Sequence, residues 1–273
     1  MSNVAATAQE QRTVLIDAHV HLHPEHSLAR VYQHAARRFG RADSAALGVL
    51  MLTHTTRARA QITDLADEPA GWSFTPVEPG LSGVARHAEH GELTLITGHQ
   101  IVTRERIEVL SLATATAPQD GLTLEETLES VRAAGGLPVL PWGFGKWWGS
   151  RGTRVERVIE ASVEGSLALG DNAGRSIGWP TPRLFGLAEN RGIPVLPGTD
   201  PLAIPGHVNR PATFGSRVTM RFDPLAPAAS ILEHVRGIRQ SPETFGRRTN
   251  PVSFALDQVS IRVRKATNTG GVA

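Results

Sequence analysis

The chain has 273 residues, 40% of them hydrophobic, which suits one large α/β domain or two small ones. Its 28 basic and 26 acidic residues nearly balance, and Lys146 and Lys265 are the only lysines, so no clustered basic element marks a nucleic-acid binder. It has no cysteine, which excludes disulfides, thiolate metal sites and cysteine nucleophiles. The first twelve residues are rich in Ala and Gln and lack the apolar core of a secretory signal, and no apolar run is long enough to span a bilayer. A cytoplasmic protein with no membrane partner is expected.

The first element is the most informative. Val14-Leu15-Ile16 leads into Asp17-Ala18-His19-Val20-His21-Leu22-His23. Residues two apart in a strand share a face, so Asp17, His19, His21 and His23 are expected on one side and Val20 and Leu22 on the other. Imidazoles converging at the end of a buried strand suit a metal ion. The alternative is a polar strand end whose histidines bond to the backbone.

Strands and helices then alternate. Leu28 to Phe39 reads as a helix stopped by Gly40, and Gly48 to Leu52 as a strand ending at Thr53-His54. Residues 57 to 80 read as an irregular crossing. Leu93 to Ile96 is a strand ending at Gly98-His99-Gln100. Thr123 and Glu126 form a capping box for a helix that Gly135 stops. Leu137 to Leu140 is a strand, and a second capping box, Thr153 to Glu156, opens the next helix. Leu167 to Leu169 is a strand leading to Asp171-Asn172. Thr181-Pro182 opens a helix ending at Gly192, and Ile193 to Leu196 is the strand after it. A helix over 229–238 and a strand over Val259 to Val263 complete the pattern. The rhythm predicts a parallel sheet covered by helices, with reactive residues at the C-terminal strand ends. A single domain over 13–264 is expected, with flexible ends at 1–12 and 265–273.

Asp17-Ala18-His19-Val20-His21 resembles the opening motif of the polymerase-and-histidinol-phosphatase (PHP) superfamily of metal-dependent phosphoesterases. Further segments match in order. Leu47 to Thr56 resembles the segment whose histidine falls on His54. Ile96 to Ile101 resembles the segment of the metal-bridging glutamate, and Glu108 falls where a histidine often follows. Ala134 to Trp142 resembles the segment ending Ala-His-Pro, and Gly198-Thr199-Asp200-Pro201-Leu202 the closing motif. The resemblance implies a distorted (β/α)7 TIM-like barrel holding up to three metal ions. Three positions depart from it: Gln100 replaces the bridging glutamate, Trp142 the Ala-His-Pro histidine, and Leu202 the closing histidine, with His207 five residues on.

On this resemblance His19, His21, His54 and Asp200 are the metal ligands, for one or two divalent ions (Zn, Mn or Fe) per chain. His54 and Asp200 are also the candidate catalytic residues. The loop from Gly143 to Gly152 interleaves Trp147 and Trp148 with Lys146 and Arg151 and reads as a lid or substrate loop. Lys146, Arg151 and Arg210 are the candidate substrate-binding residues, for a small phosphorylated molecule; oligomeric state is open. Three functional readings stand. The first is a PHP-like hydrolase of phosphate esters. The second is an amidohydrolase-superfamily hydrolase, which also opens on His-x-His but takes two histidines from middle strands, where none lies between His99 and His207. The third is a catalytically silent PHP-like binding module.

Overall fold

The structure, a computed structural model, describes residues 10–55, 70–116 and 118–269, the last seven of these by backbone alone. Over these residues the order is β1 (Glu10–Val20), α1 (Leu28–Ala42), β2 (Leu47–Leu52), β3 (Trp72–Glu78), β4 (Ser82–His87), β5 (Gly91–Ile96), β6 (Gly98–Val102), β7 (Glu108–Leu112), α2 (Leu124–Ala133), β8 (Leu137–Pro141), α3 (Ser150–Ala161), β9 (Ala168–Asn172), α4 (Arg183–Glu189), β10 (Val195–Gly198), a 3₁₀ turn (Pro205–Asn209), β11 (Phe214–Phe222), α5 (Pro227–Gly237), β12 (Glu243–Gly246) and α6 (Pro251–Thr269).

The strands form two sheets, one of seven in the order β12-β11-β1-β2-β5-β4-β3 and one of five in the order β10-β9-β8-β7-β6. The expected barrel is therefore not what the chain builds: the fold is mixed α/β with two sheets and no closed ring of strands. The reason lies in the edges. A strand has two edges, and those of β1 are taken by β2 and by an antiparallel ladder with β11 running from Glu10 to Ile16. β10 reaches β1 only past that ladder, where the Asp200 N–H donates to the His19 carbonyl at 2.8 Å. At the other seam the antiparallel strands β4 and β3 extend the first sheet beyond β5. The chain changes sheet at Thr97, leaving a single parallel bridge, His54 to His99.

Two glycines permit these seams. A Cβ at Gly98 would lie 2.6 Å from the carbonyl oxygens of both Leu52 and Ser111. A Cβ at Gly198 would lie 2.6 Å from the backbone nitrogen and Cβ of His19. The Gly-Thr-Asp segment can thus press its backbone against the histidine strand.

Three apolar clusters hold the layers. Ile16, Met51, Leu110, Val139 and Leu196 fill the space between the sheets, closed by Ile231 and Val235 of α5. Leu15, Val20, Leu50 and Leu95 pack under Tyr32 and Phe39 of α1. Val109, Leu140 and Leu169 pack under α2, α3 and α4. Each fully buried Leu, Ile or Val contributes about 1.5–3 kcal/mol relative to exposure.

Several local expectations hold. The capping box on α2 forms in both directions, Thr123 Oγ1 accepting from Glu126 N–H at 3.2 Å and Glu126 Oε2 from Thr123 N–H at 2.9 Å. Others do not. Gly40 lies inside α1, since nothing near it requires a left-handed turn. α3 begins at Ser150, so Thr153 sits within the helix and caps nothing. The segment read as a strand over Val259 to Val263 belongs to α6, whose Asn250-Pro251 start is a helix-opening pair. Of the crossing read over 57–80, residues 72–78 form β3, and 56–69 lie outside the described residues. Of the ends expected to be flexible, 10–12 belong to β1 and 265–269 to α6; 1–9 and 270–273 lie outside the described residues. Among the described residues no helix is long and apolar enough to cross a membrane.

Candidate metal centre

The site begins with an irregularity in β1. Asp17 pairs with Leu50 and Val20 with Leu52, so three steps along β1 match two along β2. This extra residue reverses which face each side chain takes. Leu15, before it, packs in the α1 cluster with Val20 and Leu22, after it, while Ile16 and Ala18 pack between the sheets. Asp17 therefore does not share a face with His19 and His21, as simple alternation predicts. It turns toward Ala212, whose N–H its Oδ2 accepts at 2.9 Å. The same carboxylate accepts Thr199 N–H at 2.8 Å and Thr199 Oγ1–H at 2.6 Å. Asp17 thus clamps the residue before Asp200 and does not line the site. Burial pushes its carboxyl up to about 7, against the hydrogen bonds from Thr199, Ala212 and His19 that favour the anion.

His19, His21 and Asp200 converge. The Nε2 atoms of the two histidines are 3.0 Å apart, and Asp200 Oδ1 lies 3.6 Å from that of His19 and 3.5 Å from that of His21. A tetrahedral ion with bonds of about 2.1 Å needs donors about 3.4 Å apart. Two imidazoles and one carboxylate at these spacings fit a divalent ion, leaving one position for water or substrate. Among the described residues, this is the one group of three or more His, Cys, Asp or Glu side chains that could hold a metal ion.

The electrostatics suit the same use. Burial lowers both imidazoles below the ordinary histidine value, His21 to about 4, against the pull of Asp200. Neutral imidazole is the form that binds a metal. Burial alone would raise Asp200, but His19, His21, the Lys146 ammonium and the Asn172 amide hold it well below the usual carboxylate range. Asn172 Nδ2–H donates to Asp200 Oδ2 at 2.5 Å, leaving Oδ1 toward the histidines. Asp200 has φ +46°, a left-handed conformation that aims its side chain back at β1.

The other sequence candidates fall around this centre. The Gln100 side chain lies near enough to His19 to favour its protonated form slightly, so position 100 faces the cluster. His99 faces His54, with ring centroids 6.2 Å apart. His54 is buried and stands outside the three-residue cluster. Trp142 is buried among the apolar residues under α3. Lys146 forms a close ion pair with Glu108. Arg151 Nη2–H donates to the Gly145 carbonyl at 3.0 Å, bracing the loop that carries Lys146. The tryptophans of that loop divide: Trp147 packs on Phe185, while Trp148 is 64% exposed. His23 and His26 bond to the carbonyls of Pro201 and Ile204 at 2.7 and 2.9 Å, tying the loop after β1 to the loop after Asp200.

His207 accepts Leu202 N–H on Nδ1 at 2.8 Å and sets Nε2 3.1 Å from Asp257 Oδ1. Arg210 Nη1–H donates to Asp257 Oδ2 at 2.6 Å. Asp257 is the residue that sequence reasoning missed, because its segment was read as preceding a strand. A cavity of about 210 Å³ opens beside Asp200, walled by Trp142, Lys146, Asn172, Arg210, Phe254 and Asp257.

Neither a protein-family model nor a curated protein matches the chain in sequence. Solved structures match it in fold. The chain is similar to PsfC from Pseudomonas syringae PB-5123, with a TM-score of 0.53 and 14% identity over 94% of this chain and 99% of that one. It is similar to the lesion-specific endonuclease PfuEndoQ from Pyrococcus furiosus, with a TM-score of 0.52 and 14% identity over 82% of this chain and 56% of that one. A complex of Endonuclease Q with a 27-mer duplex bearing an abasic lesion matches with a TM-score of 0.51 and 12% identity over 82% of this chain and 57% of that one. The likeness is one of fold.

Proposed function

We propose that this chain is a PHP-type, metal-dependent hydrolase that cleaves a phosphate ester of a small molecule. The observation that carries this reading is the cluster of His19, His21 and Asp200, whose donor atoms lie at the spacing of a single coordination sphere. His19, His21 and Asp200 hold the principal divalent ion, zinc, manganese or iron. When bound, such an ion polarises a phosphoryl oxygen and lowers the pKa of a water molecule.

The chain's own residues do the rest. Asn172 and the Asp17–Thr199 clamp hold Asp200 in register. His54, at the end of the neighbouring strand, carries a proton to or from the reacting group, or ligates a second ion. Lys146 and Arg210, both on the wall of the cavity beside Asp200, grip the substrate's phosphate oxygens. Arg151 holds the Lys146 loop in position for that contact. Trp142 and Phe254 keep water from the cavity wall.

A second reading, hydrolysis of a nucleic-acid phosphodiester, is supported by the fold likeness to the Endonuclease Q complex. One experiment separates the readings. The purified chain is titrated with zinc, manganese and iron(II), then assayed on a panel of phosphomonoesters and on a duplex with an abasic site. About one ion per chain, with phosphate release that Asp200→Ala abolishes, is the expected result. Cleavage of the duplex alone selects the second reading. Failure to take up any of the three metals overturns the hydrolase and leaves a silent binding module of the same fold.

A further inference from the structure

A second cavity, of about 380 Å³, lies against the one beside Asp200 and shares His207, Arg210 and Asp257 with it. Arg247 and Arg248, which follow β12, line its far side. Three guanidiniums therefore face one carboxylate. That carboxylate is committed to Arg210, at 2.6 Å. Among the described residues neither Arg247 nor Arg248 enters an ion pair, and Arg248 Nη1 and Asn209 Oδ1 are buried there with no hydrogen-bond partner. A buried guanidinium N–H without an acceptor carries an uncompensated desolvation cost, and an anion removes it. Crowding points the same way. Burial, and then the neighbouring Arg175, lowers Arg248 from its ordinary value, with Asp171 pulling against them. The first turn of α6 also opens onto this space through Asn250 and Ser253, adding the positive end of a nineteen-residue helix.

We propose that this cavity is a phosphate-binding site, distinct from the metal centre and separated from it by the Arg210–Asp257 pair. The net surplus of two positive charges matches a phosphate dianion. Its oxygens supply acceptors enough for two guanidinium forks, which a single carboxylate does not. The phosphate is either a second group on the substrate or a free anion. The inference rests on the hydrolase reading only for the first of these sources, because the site is built from residues outside the metal cluster.

The test is equilibrium dialysis of the EDTA-treated full chain against inorganic phosphate. Wild type is expected to bind about one phosphate. Arg247→Gln/Arg248→Gln is expected to bind at least about tenfold more weakly, and Arg247→Lys/Arg248→Lys to recover part of the loss. Asp200→Ala is expected to bind as wild type does. Arg247→Gln alone, at an exposed side chain, is expected to weaken binding severalfold with an unchanged melting temperature, which separates loss of the site from loss of the fold. Wild-type phosphate affinity in the double Gln variant overturns the proposal, as does its loss in Asp200→Ala. A second arm compares alkanediol bisphosphates of three to six carbons with their monophosphates on the metal-loaded chain. Tighter binding of a bisphosphate, abolished by the double Gln variant, assigns the site to the substrate. Equal binding assigns it to free phosphate. A failed metal titration with an intact phosphate titration would defeat the hydrolase reading and leave this site standing.

Discussion

Two pairs of histidines stand at strand ends in this molecule, and among the described residues one of them belongs to a three-residue donor group. His19 and His21 bring their Nε2 atoms to 3.0 Å, and Asp200 arrives from the other sheet to within 3.6 Å of both. His54 and His99 face each other across the other seam, with centroids 6.2 Å apart, and no three-residue donor group among the described residues includes them. Both pairs are buried. The difference teaches that convergent imidazoles become a candidate ion site when a fixed negative charge is delivered to them. Here that delivery needs a glycine at 198, a clamp at Asp17 and a left-handed residue at 200.

The comparison is broken most severely by removing the charge. Asp200→Ala is expected to lower divalent-metal affinity by more than about 100-fold, beyond the 10–100-fold typical of outer partners. Calorimetric titration of the folded variant checks this; retained affinity would remove Asp200 from the site. Next come the imidazoles. His19→Ala and His21→Ala are each expected to cost about 100-fold, whereas His54→Ala should change the affinity of the first ion by less than about threefold. Equal losses in all three variants would merge the two pairs into one site.

Asn172→Ala should cost about tenfold, because it frees the Asp200 carboxylate to rotate while leaving every ligand present. Gln100→Glu sharpens the contrast from the other direction. The residue faces His19, so a charge there is expected to raise metal affinity or stoichiometry a few-fold, and unchanged binding would place the Gln100 side chain away from the ion. The smallest effect is that of pH. Because His21 is lowered to about 4 and His19 is lowered too, protons compete with the metal only in acid, and affinity should stay level from neutral pH down through the ordinary histidine range near 6.5. A fall in affinity centred on that range would show that the imidazoles are not buried as described.

Much of this centre was legible in the chain. Alternating histidines after an apolar run nominated His19 and His21, the resemblance of the distant Gly-Thr-Asp to a family motif nominated Asp200, and the three do meet. The α2 capping box and half of the twelve described strands (β1, β2, β5, β8, β9 and β10) were legible for the same reason: short-range hydrogen bonding and short apolar runs are written locally. Asp17 was placed on the wrong face because an extra residue in one strand depends on the register of its neighbour, which no single segment reveals. The helix carrying Asp257 was read as ending in a strand because Val259, Ile261 and Val263 alternate, although Asn250-Pro251 signals a helix start.

The sequence by itself determined His19 and His21 as candidate donors, the absence of thiolate chemistry and the alternating apolar elements, since these are matters of side-chain identity and local spacing; Asp200 and the departures at Gln100, Trp142 and Leu202 entered through the family resemblance. Only the tertiary structure decided that the strands form two sheets in place of a closed barrel, because β11 and β4 occupy edges that closure would need. It also decided that Asp17 serves Asp200 from the opposite face, and that Arg210, Arg247 and Arg248 surround one space with a single carboxylate between them. Edge pairing, strand register and the meeting of residues far apart in the chain are set by which surfaces find one another on folding, and no local stretch of sequence contains that information.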